Sequence, residues 1–267
     1  MRVMQDVVDL VGRFETAEAE LAAGASQRHF CGLYRRSTLA VRDELAKGGF
    51  ADADWVARLT VAFARLYLEA LDDWTLGRAV ALPWQLALEA PAELSPLVHQ
   101  LIGLNAHLNF DLPRALLAVD GVEEFGNDPL LERRQDDFQH IDAVMLRRLP
   151  EEYRRLRGGT GPVGPELLTW ALYPLNLMAS RRWLVAARRS VWNNALHLSA
   201  AGGAGEAELA RAVADLEVLC AAKVAEIRGP GQVVLRLAVA GFGVTLPSRA
   251  RPGAGPQLVG SPGASAP

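Results

Sequence analysis

The amino-acid sequence predicts an all-α protein, a single multi-helix bundle of about 9–11 helices with a disordered C-terminal tail. Apolar residues recur at helical spacing along nearly the whole chain, and only QVVLRLAV (232–239) hints at the alternation of a β-strand. The last segment, SRARPGAGPQLVGSPGASAP (248–267), has almost no large apolar residue and cannot bury enough surface to order itself. We therefore expect one helical domain over 1–245 and a tail over 246–267.

Glycines, prolines and capping residues divide the first half of the chain into helices. The first two are predicted over 3–23 and 27–47, and Gly48-Gly49 ends the second. Asp52 or Asp54 caps a third helix that runs to about residue 76. Shorter helices follow at the ranges 82–90, 93–109 and 112–120.

A glycine- and proline-rich segment divides the second half of the chain. The segment RGGTGPVG (157–164) is a Gly/Pro loop, which marks a hinge or a boundary between helical halves. Helical periodicity predicts helices on both sides of it, over the ranges 128–149, 165–200, 205–228 and 230–241.

Composition excludes several classes of protein. The formal net charge of -3 gives no electrostatic reason to expect nucleic acid or an anionic membrane as a partner. No run approaches the ~18 apolar residues of a membrane span, and Asp6 interrupts an N-terminus that does not read as a signal peptide. Cys31 and Cys220 make no disulfide framework, so we expect a reduced, cytoplasmic setting. The oligomeric state stays open.

The stretch HQLIGLNAHLNFDLP (99–113) carries the most chemical information, because its polar side chains interrupt an apolar helical run. On a helix, Asn105 and Asn109 fall within the apolar face, whereas His99 and His107 fall on the opposite face with small residues. Burying such groups unpaired costs about 1–3 kcal/mol each. The stretch is therefore either a hydrogen-bonded core or part of a site, on a helix that is central in the bundle.

Asp111 has two interpretations. It precedes Leu112-Pro113, so it suits the N-cap of the helix that starts at 112. Alternatively, its carboxylate faces a cavity beside His107, as a general base or a metal ligand.

A second polar group lies in RRQDDFQHID (133–142). Arg134 and Asp137 fall on the apolar side of this helix at a spacing of three, which suits an intrahelical ion pair that also reaches a neighbouring helix. Asp142 sits at the edge of the same face, and His140 on the opposite, wet side.

A third group lies in SRRWLVAARRSVWNNALHL (180–198), where Trp183 and Trp192 face opposite sides of a helix. Aromatic residues at helical spacing are typical of a core. The arginines of this segment form either a clamp for an anionic ligand or a solvated basic stripe: Arg181, Arg182, Arg188 and Arg189.

These residues resemble a bacterial all-helical family catalogued as domain of unknown function 5995, over about residues 10–220. Its most specific pattern, G-x-N-A-H-I-N-x-D-L-P-x-A-L, matches Gly103 to Leu116, with Leu108 in place of the isoleucine. The family's tyrosine and threonine match Tyr34 and Thr38. Asp142 stands where the family usually has asparagine, which adds a titratable carboxylate. The resemblance implies a helical fold and a shared polar centre but no activity.

We expect a cofactor-independent acid–base enzyme that acts on a small organic molecule and is of cyclase, isomerase, dehydratase or hydrolase type, with specialised metabolism as a candidate setting. The expected catalytic residues are His107, Asp111 and Asp137. The expected substrate-binding residues are Asn105, Asn109, Arg134, Asp142 and Trp192.

Two alternatives stay open. The same residues could form a satisfied network in a non-catalytic helical ligand-binding or scaffold domain. They could also belong to a metal-dependent hydrolase, since His99, His107, Asp111, Asp137 and His140 are plausible ligands, although the chain has no HExxH or CxxC. No Walker loop, GxGxxG, GxSxG or DDxxD motif is present in the sequence.

Overall fold

In the computed structural model, residues 2–122, 125, 129–157 and 173–247 are described. Within these ranges every regular element is a helix, which confirms the all-α prediction. The helices are α1 (Arg2–Glu20), α2 (Gln27–Ala46), α3 (Ala53–Thr75), α4 (Leu82–Leu88), α5 (Pro96–Leu104), a π-helical segment (Asn105–Asp111), α6 (Leu112–Asp120), α7 (Leu131–Arg157), α8 (Tyr173–Ala204), α9 (Glu206–Arg228) and α10 (Val233–Ala240). None of these helices is long and apolar enough to cross a lipid bilayer.

Local sequence signals account for several of the helix ends. Gly48 follows α2 with φ +71°, a conformation that favours glycine. The side chain of Asp52, rather than Asp54, caps α3 by accepting a hydrogen bond from the Trp55 amide at 3.1 Å. Ser95 caps α5 in the same way, with Pro96 in its first turn.

The described second half of the chain is helical, as the sequence predicts, with shifted helix boundaries. The segment 232–239, with its hint of a strand, lies in α10, because its buried valines and leucine face the core at helical spacing. Helix α7 runs on to Arg157 through an internal Pro150. The predicted Gly/Pro loop, the first part of the helix over 165–200 and the tail over 248–267 lie outside the described residues.

The expected break before α6 is also wrong, because α5, the π-helical segment and α6 form one continuous helical path. The amide of Leu112 donates to the carbonyl of His107, a bond across five residues that defines a π-helix. Pro113 follows directly, and its ring cannot donate to an i−4 carbonyl. The π-helical turn thus allows the helical path to continue through Pro113, a residue that would disturb an α-helix.

The π-helical segment is central in the bundle, as the sequence predicts. It packs against α3, α4, α8 and α9 as well as its two sequence neighbours. One apolar core surrounds it with residues of α3, α6, α8 and α9, and a second, aromatic core lies among α1, α2, α3 and α4. Its side chains therefore reach both cores.

Candidate functional site

A cavity of about 150 Å³ lies among α2, α3, α7, α8 and the π-helical segment. A cavity of similar size in other proteins holds a benzene molecule. Its walls are mainly apolar and include Phe30, Leu33, Val41, Leu59, Phe63, Leu104, Leu108, Leu112, Ile141, Met145, Leu149, Trp183 and Leu184. Such a volume suits a small organic molecule.

His107 and Asp111 form a buried pair on the π-helical segment. His107 Nδ1 lies 3.2 Å from Asp111 Oδ2, and the two side chains are 2% and 1% exposed. The same carboxylate oxygen accepts a hydrogen bond from Trp84 Nε1 at 2.9 Å. Arg114 lies 3.4 Å from the other oxygen. Since a carboxylate accepts, the proton lies on Nδ1 and the lone pair on Nε2 of His107.

The geometry decides between the two interpretations of Asp111. Its side chain makes no cap hydrogen bond to α6, so the N-cap interpretation is wrong. The carboxylate instead lies beside His107, which lines the cavity. The carboxylate is thus next to His107, as the second interpretation has it, but Asp111 does not itself line the cavity.

Aromatic rings enclose His107. The Phe63 ring stacks on the imidazole with centroids 3.5 Å apart and planes 6° apart, and the Tyr34 ring meets its edge at 4.1 Å. Burial lowers the pKa of His107, and this effect outweighs the hydrogen bond and charge of Asp111, which raise it. His107 is thus neutral at pH 7, and its Nε2 has no hydrogen-bond partner within the described part of the chain.

Tyr34 also lines this cavity and carries a second unpaired polar atom. The residue is 8% exposed, and its hydroxyl has no hydrogen-bond partner among the described residues. Burial, together with the charge of Asp111, raises the pKa of Tyr34 well above its ordinary value, so the hydroxyl keeps its proton. The walls of the cavity therefore include a neutral imidazole and a protonated phenol, each with a polar atom that lacks a partner among the described residues.

Ion pairs occupy the side of the cavity formed by α7 and α8. Arg188 donates through Nε to Asp142 and through Nη2 to the carbonyl of Phe138 at 3.2 Å. Burial raises the pKa of Asp142, although Arg188 opposes this effect. Next to this pair, Glu152 binds both Arg148 and Arg36. Of the predicted substrate-binding residues, only Asp142 lines this cavity.

The two predicted asparagines lie in a separate hydrogen-bond network. Asn105 donates to the carbonyl of Cys220 at 2.7 Å, and Asn109 donates to Asn105 at 3.0 Å and to the carbonyl of Phe242 at 2.9 Å. Asn194 on α8 continues the network with the backbone of Val244 and Leu246. These amides fasten the segment after α10 to the bundle, and they do not line the cavity.

Arg134 and Asp137 lie in a third polar cluster, at the start of α3. Arg134 pairs with Asp120 at 2.8 Å and, more loosely, with Asp52 at 3.7 Å. Asp137 accepts hydrogen bonds from the backbone amides of Ala51 and Asp52 at 2.8 and 2.6 Å. The intrahelical ion pair expected between Arg134 and Asp137 is replaced by these contacts, because both side chains reach across to other elements.

The remaining predicted residue, Trp192, packs in the core. Its ring centroid lies 5.1 Å from each of Phe125 and Phe138. It also lines an outer cleft between α7 and α8, which shares Asp142 and Arg188 with the inner cavity.

The candidate metal ligands are dispersed. His140 lies 2.8 Å from Glu44, and the His99 ring lies 5.7 Å from that of His29. Within the described residues, no three His, Cys, Asp or Glu side chains are grouped as a metal ion would require.

Comparison with known proteins gives one match. The model of a family described as a family of unknown function (DUF5995) matches residues 7–230. No curated protein and no solved structure matches the chain.

Proposed function

Since the chain belongs to the family of unknown function DUF5995, a description without an activity, we propose a function from the cavity: a cofactor-independent acid–base enzyme acting on a small, mainly apolar organic molecule. One observation carries the proposal. The unpaired, neutral Nε2 of His107 belongs to a cavity-lining ring whose other nitrogen is fixed by the buried Asp111. A base held in this way is poised for proton transfer.

The roles follow from the protonation states. His107 takes a proton through Nε2, while Asp111 holds the ring in the required tautomer and stabilises the imidazolium that forms. Trp84, through its hydrogen bond to Asp111, positions that carboxylate. Tyr34 donates a hydrogen bond to the oxygen on which negative charge develops.

The surroundings of His107 favour direct proton transfer over nucleophilic catalysis. Among the described residues, the cavity has three hydroxyl side chains besides Tyr34, and each donates to a main-chain carbonyl of its own helix: Ser37, Thr38 and Thr60. A serine or threonine nucleophile would instead donate to the base. We therefore favour isomerase, dehydratase or cyclase chemistry over hydrolysis.

The simplest such step is enolisation. His107 Nε2 removes a proton from the carbon next to a carbonyl, and the C–H electron pair forms the C=C bond of the enolate. The carbonyl π pair moves to oxygen, which accepts the hydrogen bond of Tyr34. The imidazolium then returns the proton to the same or another carbon, so the step is balanced without a further reactant.

Proton exchange tests this proposal without knowledge of the natural substrate. Incorporation of deuterium from D₂O next to the carbonyl is followed by NMR for cyclohexanone and for 3-oxocyclohexanecarboxylate. We expect the wild-type protein to accelerate exchange of at least one ketone, and His107→Gln to lower that rate by at least about 100-fold, as for loss of a general base. His197→Gln, a histidine of α8 outside the cavity, is the matched control and keeps the rate.

Equal rates for wild type and His107→Gln would overturn the assignment. If the ketones bind but their deuterium exchange is no faster than in buffer alone, the proposal of an acid–base enzyme is refuted. That result would favour the second candidate, a helical ligand-binding domain. The mainly apolar walls of the cavity are the observation in favour of that candidate.

A further inference from the structure

Arg188 is a buried cation with unused hydrogen-bond donors. The residue is 6% exposed and lines the cavity. Its Nε binds Asp142 and its Nη2 binds the carbonyl of Phe138, but Nη1 has no hydrogen-bond partner in the described part of the molecule. The guanidinium plane rests on the Phe138 ring, with its carbon 3.7 Å from the ring centroid. Packing on this ring holds the guanidinium, which borders both the inner cavity and the outer cleft.

A guanidinium N–H without a protein partner is free to donate to a ligand. A ligand oxygen in the cavity would accept this hydrogen bond. Arginine presents its donors in a planar fork that fits the two oxygens of a carboxylate.

The other cations near the cavity are more fully engaged. Arg148 binds Glu152 and the main-chain carbonyl of Arg36, and Arg36 itself contacts Glu152 through two of its nitrogens. Arg188, in contrast, shares its charge with Asp142 alone. It is therefore the cation of the cavity best able to accept a second anion.

We propose that the natural ligand of this cavity is a small apolar carboxylate, with its carboxylate on Arg188 Nη1 and its apolar part against the aromatic wall at His107. The proposal rests on the proposed function, because it assigns the substrate class of the same cavity. Asp142 is the competing anion: its carboxylate already holds Arg188, and it would repel a ligand carboxylate beside it. The balance between Arg188 and Asp142 thereby determines whether the cavity binds an anionic or a neutral ligand.

Benzoate and benzamide test the proposal, because they have nearly the same shape and differ in charge. Binding is measured by isothermal titration calorimetry with the full chain. We expect benzoate to bind at least tenfold more tightly than benzamide. Asp142→Asn removes the competing charge, so we expect it to tighten benzoate binding at least tenfold and to leave benzamide binding unchanged.

Arginine variants test whether the preference for benzoate depends on Arg188. Arg188→Met should abolish the preference for benzoate, whereas Arg189→Met should keep it, because the adjacent, exposed Arg189 does not line the inner cavity. Should Arg188→Met fail to fold, the Asp142→Asn result decides alone. Benzamide binding as tightly as benzoate, no binding of either, or weaker benzoate binding by Asp142→Asn would each overturn the proposal.

This test and the exchange assay fail independently. A preference for benzoate without ketone exchange would refute the proposed acid–base enzyme and leave the carboxylate site standing. Ketone exchange that depends on His107, without any preference for benzoate, would refute only the carboxylate site.

Discussion

Removal of the Tyr34 hydroxyl should stabilise the protein, although it removes a polar group from the candidate active site. The side chain is 8% exposed, and its oxygen has no partner in the described structure, so folding desolvates it without compensation. Because Tyr34→Phe deletes only this oxygen, we expect a gain of about 1 kcal/mol in the free energy of unfolding. In a chain of this size, that gain raises Tm by about 2–4 °C.

Tyr153 provides the matched control for this substitution. It is also buried, at 6% exposure, but its hydroxyl lies 2.8 Å from Ser180 Oγ. Tyr153→Phe breaks that bond and leaves Ser180 without it, so we expect a loss of about 1 kcal/mol. Urea unfolding followed by circular dichroism gives the free energy of unfolding of each variant, and the two values should differ by about 2 kcal/mol. A loss of 1 kcal/mol or more in Tyr34→Phe would refute the view that its hydroxyl is kept free for a ligand.

Three further substitutions test the separation of structural from functional polar groups. Asn109→Ala leaves Asn105 Oδ1 and the Phe242 carbonyl unpaired, so urea unfolding should show a loss of about 3 kcal/mol; an unchanged midpoint would contradict the network. Gly103→Ala places a methyl group against the Phe30 ring and should lower Tm measurably; an unchanged Tm would contradict that packing. The pKa of His107 is lower in the folded protein than its ordinary 6.5, so the unfolded chain binds more protons. Stability should thus fall as pH decreases below about 6.5, and less so in His107→Gln; identical pH profiles would contradict a buried neutral imidazole.

The helices could be predicted because local signals determine them. The glycines after α2, the Asp52 cap and the helical spacing of apolar residues each act within a few residues of the boundary that they set. The π-helical segment could not be predicted in this way. It is stabilised by contacts with four helices that are distant in sequence, and these contacts allow the chain to continue through Pro113.

The site was predictable only in part. The spacing of His107 and Asp111 in an apolar run placed them together, and polar types in such a run are the signal that found them. Asp137 has the same chemical character, but the orientation of α7 directs it to the backbone at the start of α3. Asp137 does not line the cavity of His107, and its predicted catalytic role stays a prediction.

Tyr34 and Arg188 belong to the site because of tertiary packing, which the local sequence pattern does not predict. Tyr34 reaches His107 only because α2 packs beside the π-helical segment, and its one sequence signal was the resemblance pattern that it shares with Thr38. The arginines of α8 fitted either an anion clamp or a solvated stripe. Burial separates Arg188 from its exposed neighbours Arg181, Arg182 and Arg189, and burial depends on tertiary packing.

Burial keeps His107 neutral, and Asp111 holds its proton on Nδ1, so that Nε2 has no hydrogen-bond partner among the described residues. Long-range ¹H–¹⁵N correlation spectra of protein labelled with ¹⁵N-histidine report the protonation state and tautomer of each ring directly. At pH 7 we predict a neutral Nδ1–H tautomer for His107, assigned by its absence in His107→Gln. A protonated ring, or a neutral ring with its proton on Nε2, would contradict the account.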